Sequence, residues 1–288
     1  MAQTREIRTK IASVKSTQKI TKAMQLVAAS KMRRTQTMME RTRPYSHKIR
    51  SVLEHVAMSS AEYNHPYVHG HPSAKKIGFI VVSSDRGLCG GLNTNLFRAL
   101  IQKIQAFDSK GLASELCLIG RKGEVFFEHH GGNIQGTAEY VGEHPLVKDL
   151  VGIVKVMLDA FDEKKYHSLY MVYNEFVNTM KQQPTIHQLL PLPLEKTAAP
   201  KHWDYIYEPD DAKLILNQLM RRYIESQVYQ AVVENVACFQ AAQMVAMKSA
   251  TDNAQDMIRA LQTSFNQARQ ATITREISEI VAGADAIA

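Results

Sequence analysis

The sequence predicts an α/β protein with long helices: an antiparallel coiled coil of N- and C-terminal helices plus a small central Rossmann-like α/β domain. Three observations carry this reading. No proline precedes Pro44 and no glycine precedes Gly70. Roughly seventy residues after Pro209 again contain neither, up to Gly283. Between these stretches, short apolar runs alternate with helical patterns, the grammar of an α/β domain.

The N-terminal segment "EIRTKIASVKSTQKITKAMQLVAASKMRRTQTMMERTR" is rich in Ala, Lys, Arg, Gln and Met, all good helix formers. Ile7, Ile11 and Val14 form one apolar stripe, and Ile20, Met24 and Val27 form a second after a shift of about one position. The spacing is helical with coiled-coil flavour but no strict heptad. It predicts helix from about residue 3 to about 58, bent at Pro44, whose ring removes an internal hydrogen bond.

A connection over 59–74 leads to the central domain, 75–190. There "KKIGFIVVSS" (75–84), "ELCLIG" (115–120) and "HSLYMVYNEFV" (167–177) read as strands, the first two with the continuous apolar character of buried parallel strands. "NTNLFRALIQKIQAF" (93–107) and "HPLVKDLVGIVKVMLDAF" (144–161) read as the helices between them. A second connection, 191–208, contains "LLPLPLEK" at its start and leads to the last helix, 209–288.

Asp210 or Asp211 can cap that helix. At about 1.5 Å per residue it would be on the order of 100 Å long, against about 11 or 12 residues for an ordinary globular helix. Ile258, Leu261, Phe265 and Ala268 recur at three and four, as do Ile273, Ile277 and Ile280. Such a stripe has to lie against another long helix, and the N-terminal one is the candidate. The C-terminal helix is the longer of the two, so its final turns are left exposed or held by a partner.

Charge is unevenly placed. The net charge is +7, yet residues 1–50 hold thirteen Lys or Arg against two Glu, whereas 209–288 hold seven basic and nine acidic residues. A basic arm suits nucleic acid, an anionic membrane or an acidic protein surface, and charge alone does not choose among them. No stretch approaches the roughly 20 apolar residues of a membrane span, and the first residues carry no secretory pattern. Cys89, Cys117 and Cys238 lie far apart without a CxxC pair, which argues against structural zinc and a disulfide framework.

Candidate chemistry is sparse. The loop "SSDRGLCGGLNTN" (83–95) follows a strand and precedes a helix, a position suited to an anion, but it matches neither the phosphate-loop nor the dinucleotide spacing. Asp85, Arg86, Gly87, Gly90 and Gly91 therefore read as a structural turn, and no base partners Cys89 as a nucleophile. His65, His69, His71 and the pair ending at His130 lack any metal-site companion and read as solvent-facing loop residues. Lys15, Lys19, Lys22 and "KMRR" (31–34) read as a solvated or partner-facing helix surface, with no helix-turn-helix or basic-zipper pattern.

Five blocks carry a resemblance over essentially the whole chain. "ITREISEIVAGADA" (273–286), "KITKAMQLVAASKMR" (19–33), "VSSDRGLCGGLN" (82–93), "YIYEPD" (205–210) and "RRYIESQVYQAVVEN" (221–235) are similar, in order, to the gamma subunit of bacterial F-type ATP synthases, the central rotor stalk. The resemblance implies a mechanical, non-catalytic role without a cofactor. The coil would stand inside a ring of three alpha and three beta subunits, and the lower part and α/β domain would grip the epsilon subunit and the c-subunit ring. Proton-driven rotation would then cycle the beta catalytic sites. Arg269, Gln270 and Thr274 match positions that contact beta loops, Glu276 and Glu279 belong to the C-terminal signature, and the region Lys22–Met24 completes the expected coupling set. Tyr205, Tyr207 and Glu208 match positions facing the c-ring loops. The resemblance further implies a peripheral place on the cytoplasmic side of the bacterial inner membrane, with no direct membrane insertion and no nucleic acid.

The match has departures. Many relatives carry Ser-Glu and then Ala-Arg-Met where this chain has Cys238-Phe239 and Ala242-Gln243-Met244, which removes two charges from one helix segment. Two competing functions remain as expectations to test: an independent enzyme using the α/β domain, and a basic coiled-coil nucleic-acid-binding or scaffold protein.

Overall fold

The computed structural model describes residues 2–59, 66–139, 142–143, 145–192 and 212–285. In chain order these form α1 (Ala2–Ser59), α2 (Pro66–His69), β1 (Lys76–Val82), α3 (Leu92–Asp108), β2 (Ala113–Ile119), α4 (Arg121–His129), β3 (Ile134–Ala138), α5 (Val147–Asp162), β4 (Tyr166–Phe176), β5 (Gln182–Leu190) and α6 (Ala212–Asp285). The chain divides into two compact units, Met1–Ser30 with Gln243–Ala288, and Lys31–Ala242.

The first unit pairs the start of α1 with the end of α6. Arg8 lies over the Phe265 ring at 5.7 Å, Gln18 Nε2 donates to Gln255 Oε1 at 2.7 Å, and the Thr21 and Thr251 hydroxyls are 2.8 Å apart. Ten residues forward along α1 move the partner ten residues back along α6, so the helices are antiparallel, as expected. The seam differs from the expectation. Ile7, Ile11 and Val14 are half-buried, but Ile20 and Val27 are 58% and 53% exposed, and Gln18, Thr21, Met24 and Ala28 occupy the inner face instead. Apolar residues lie on two faces of this stretch, and periodicity alone cannot say which face meets the partner. On α6 the expected stripe holds: Ile258 is buried, and Leu261, Phe265 and Ala268 are half-buried.

The second unit contains a five-stranded sheet in the order β3-β2-β1-β4-β5. The pairs β1–β2, β1–β4 and β2–β3 are parallel, and β4–β5 is antiparallel. Both faces are covered, which is why β1 and β2 read as continuous apolar runs. Phe79, Val81, Leu116 and Leu118 meet Leu96, Phe97, Leu100 and Phe127 of α3 and α4 on one side. Ile80, Val82, Cys117 and Ile119 share the other core with Leu150, Val154, Met157 and Phe161 of α5, Ile49 and Leu53 of α1, and Met220, Ile224 and Val228 of α6. A Cβ on Gly78 would stand 2.7 Å from Met157 Cε and 2.9 Å from Leu169 Cδ1, so the glycine leaves room for these two side-chain ends against β1.

A buried carboxylate, Glu115, interrupts the packing around the sheet. Glu115 Oε1 accepts from Lys76 Nζ at 2.6 Å and Oε2 accepts from the Tyr166 hydroxyl at 2.7 Å. Burial alone raises the Glu115 carboxyl, but these two hydrogen bonds with the Lys76 and Lys165 charges hold it below its ordinary value.

Four elements were absent from the sequence expectation: α2, α4, β3 and β5. β5 carries Pro184 at the sheet edge, where a missing N–H donor is tolerated. β3, also at an edge, alternates between exposed and half-buried positions without a fully buried residue. α5 starts at Val147, three residues later than the pattern beginning at His144 suggests. The candidate caps Asp210 and Asp211 lie outside the described residues.

Candidate functional site

The loop after β1 is a junction that satisfies its own hydrogen bonds. Ser83 Oγ donates to a position shared by Ile119 O (3.1 Å) and Gly120 O (3.0 Å), and accepts from Gly123 N at 2.9 Å. Ser84 Oγ accepts from Asn93 Nδ2 at 2.7 Å and donates to Arg86 O at 2.7 Å. Asp85 Oδ1 accepts from Arg121 N at 3.2 Å, and its Oδ2 accepts from Gly142 N at 3.5 Å. The first backbone N–H groups of α4 are thus taken by Asp85, by Ser84 O (from Lys122 N, 3.0 Å) and by Ser83. A helix start whose donors are already bonded does not offer them to an anion.

Parallel sheets of this kind take ligands beyond the strand ends where the strand order reverses. Here that place lies between the ends of β1 and β4, and α6 fills it. Cys89 and Leu92 pack with Cys238 and Ala242 of α6, with Phe176 and Phe239 against them. The departure at Cys238-Phe239 is therefore matched by apolar surroundings. Burial pushes the Cys89 thiol up, and the Cys238 thiol further, so neither is poised as a thiolate nucleophile. Arg86, Gly90 and Gly91 are exposed and Gly87 is half-buried, while Leu88 holds φ 65 with its side chain 61% exposed.

The histidines need one correction. His69, His129 and His130 are exposed, but His71 is half-buried, its ring 4.9 Å from that of Phe161, so it is a packing residue. His65 lies outside the described residues. Among the described residues no group of His, Cys, Asp or Glu has metal-holding geometry.

The residues singled out on the coil fall into two bands. Lys22 is exposed, with Nζ donating to Gln25 Oε1 at 3.4 Å, and Met24 is half-buried beside it. This band lies level with Thr251 and includes the exposed Ile20, Leu26 and Val27. The second band begins at Arg269, eighteen residues farther along α6, or roughly 27 Å at the rise of an α-helix. Arg269, Gln270, Thr274, Glu276 and Glu279 are all exposed there. Every described side chain from Ile273 to Gly283 is exposed, including Ile273, Ile277, Ile280 and Val281. Stepping along from the Arg8–Phe265 pair, Ala2 at the start of α1 falls opposite about Ala271, so no described residue of α1 lies level with these. Tyr205, Tyr207 and Glu208 lie outside the described residues.

A long unpartnered apolar tail and a ligand crevice filled by the protein's own helix describe a mechanical part, and the comparisons agree. A family model described as ATP synthase matches residues 3–287. The ATP synthase gamma chain of Coxiella burnetii is 56% identical over 288 residues, covering 100% of both chains. The chain belongs to the ATP synthase gamma-chain family. The gamma chain of Legionella pneumophila is 53% identical over 290 residues, again across the full length of both. Among solved structures, a chain of the Euglena gracilis mitochondrial ATP synthase matches with TM-score 0.71 at 19% identity, covering 99% of this chain and 95% of that one. A chain from the Tetrahymena thermophila central stalk and c-ring matches with TM-score 0.61 at 23% identity, covering 80% of this chain and 99% of that one. These structural likenesses establish a shared fold.

Sequence reasoning missed Ser83, Ser84 and Asn93 as the polar centre of the loop, although a Ser-Ser-Asp run at a strand end is a capping signal. It also missed Glu234 as a buried anchor, for which a single acidic residue in an apolar helix gives little warning.

Proposed function

We infer that this chain works as the central shaft of a rotary ATP synthase. It is a non-catalytic rotor subunit, in keeping with its gamma-chain family, and couples rotation of a c-subunit ring to the conformational cycle of catalytic sites elsewhere in the complex. The reverse cycle, driven by ATP hydrolysis, pumps protons. The carrying observation is the end of α6: a stripe of Ile273, Ile277 and Ile280 that continues past the reach of α1 and is exposed in the free chain. A contiguous apolar stripe of this kind suits a partner surface.

Its partners are the alpha and beta subunits around the coil and the epsilon subunit and c ring below. Arg269, Gln270, Thr274, Glu276 and Glu279 form one contact band for beta, and Lys22 with Met24 forms the other. Tyr205, Tyr207 and Glu208 face the c ring. Asp85 holds the loop after β1 to α4, while Arg86, Gly87, Gly90 and Gly91 shape its turn. The working division is 1–58 and 209–288 as the coiled coil and 75–190 as the α/β domain, joined by 59–74 and 191–208. The chain sits peripherally at the cytoplasmic face of the bacterial inner membrane; among the described residues no helix is long and apolar enough to cross one. The alternative of a basic nucleic-acid-binding coil finds no support among these relatives.

Reconstitution with purified alpha and beta tests the reading. A complex of three alpha, three beta and one copy of this chain with steady ATP turnover is expected. A chain that stays separate and adds no activity would overturn it.

A further inference from the structure

The α/β domain is held to α1 and α6 largely by apolar contacts, which are non-directional. One buried polar cluster is directional. Glu234 Oε1 of α6 accepts from Arg43 Nη2 of α1 at 3.2 Å and from the backbone N–H of Phe176, at the end of β4, at 3.1 Å. Beside it Asn174 Nδ2 donates to Asn235 Oδ1 at 3.0 Å, and Cys238 Sγ donates to Asn174 O at 3.2 Å. A single carboxylate oxygen thus ties three elements at one point.

Its setting separates it from the other ties. The Glu234 carboxylate is 7% exposed against 44% for Arg43, whereas in the Lys31–Glu143 and Arg221–Asp162 pairs, which also join long helices to the α/β domain, both partners are 36–54% exposed and neither carboxylate is buried. Exposed pairs contribute little. Burial raises the Glu234 carboxyl above its ordinary value despite the Phe176 and Arg43 hydrogen bonds, so an apolar side chain would serve packing better here.

We propose that Glu234 is a positioning residue for torque: with Arg43, Phe176 N, Asn174 and Asn235 it locks the α/β domain to both long helices so that the three turn as one body. The proposal rests on the shaft reading. The whole ATP synthase reconstituted in vesicles tests it, with assembled mass, ATP hydrolysis and ATP-driven proton pumping measured together. Glu234→Ala is expected to keep hydrolysis within about twofold while protons pumped per ATP fall about fivefold or more. Glu234→Gln keeps an acceptor for Phe176 N and Arg43 and is expected to restore most of the loss. Arg43→Gln, at a half-exposed position, is expected to give a milder loss and covers the case in which Glu234→Ala does not assemble. Wild-type pumping per ATP in Glu234→Ala, or in Arg43→Gln where Glu234→Ala does not assemble, would overturn the clamp alone. So would equal losses of hydrolysis and pumping. A wild-type complex that hydrolyses ATP without pumping would overturn the shaft reading itself.

Discussion

Removing residues 273–288 separates what this chain needs for its own fold from what a partner needs from it. Every described side chain from Ile273 to Gly283 is exposed, so among the described residues the cut removes almost no packing within the chain. The tail nevertheless holds unused apolar surface: Ile273, Ile277, Ile280 and Val281 are 44%, 56%, 72% and 54% exposed. At roughly 2 kcal/mol for fully burying one such side chain, those fractions amount to about 4–5 kcal/mol that only a partner can realise. Ordering costs take part of it, and the remainder governs how firmly the shaft end is held. The free truncated chain is expected to melt within about 2 °C of the full chain, because a change of 1 kcal/mol would already move the midpoint by about that much. The reconstituted complex is expected to assemble, with coupling weakened more than assembly, read as proton pumping per ATP hydrolysed. Unchanged pumping would refute the reasoning, and so would a melting midpoint lowered by more than about 5 °C, since the tail would then be packed within the chain.

Three further changes probe the fold. Gly120 has φ 96 and a Cβ there would stand 2.4 Å from Ser83 O, so Gly120→Ala is expected to cost about 3–5 kcal/mol in urea unfolding; a wild-type midpoint would contradict the close approach. Glu115, with its carboxyl held below the ordinary 4.5, contributes stability that is present above that value and lost as pH falls through its lower folded value. Glu115→Gln should therefore be less stable than the wild type at neutral pH, by about 1–3 kcal/mol, with the gap closing in acid below 4.5; a gap that widens in acid would reverse the sign of the argument. Each of the Thr21 and Thr251 hydroxyls, 2.8 Å apart, also has a carbonyl of its own helix to bond, Gln18 O at 3.0 Å and Met247 O at 2.8 Å, so replacing either or both by valine should change stability by less than about 1 kcal/mol in urea unfolding; a larger loss in the double variant would show the polar seam to be required.

The periodic and punctuated features were legible in the sequence. The long helices follow from the absence of proline and glycine over long reaches, since local backbone freedom alone decides whether such a run can be helical. Pro44 lies inside α1 without ending it. The strands β1, β2 and β4 announce themselves because burial on both faces demands continuous apolar side chains. The inner face of α1 was not legible: Ile20 and Val27 fit a seam by spacing, yet Gln18 and Thr21 meet α6. Which of two possible faces turns inward depends on the partner helix, and no residue on α1 encodes that by itself.

The site divides the same way. The helix–domain–helix plan, the excess length of the second helix and, through the motif blocks, the gamma-chain family are written along the chain. That the crevice beside β1 is filled by Cys238 and Ala242, and that the donors at the start of α4 are already bonded, emerges from the folded chain. It alone revealed that Glu234 joins α1, β4 and α6. Local propensity and periodicity act over a few neighbouring residues and are written along the chain. Occupancy of a crevice and convergence on one carboxylate arise between residues scores to nearly two hundred positions apart, and exist only once the chain has folded.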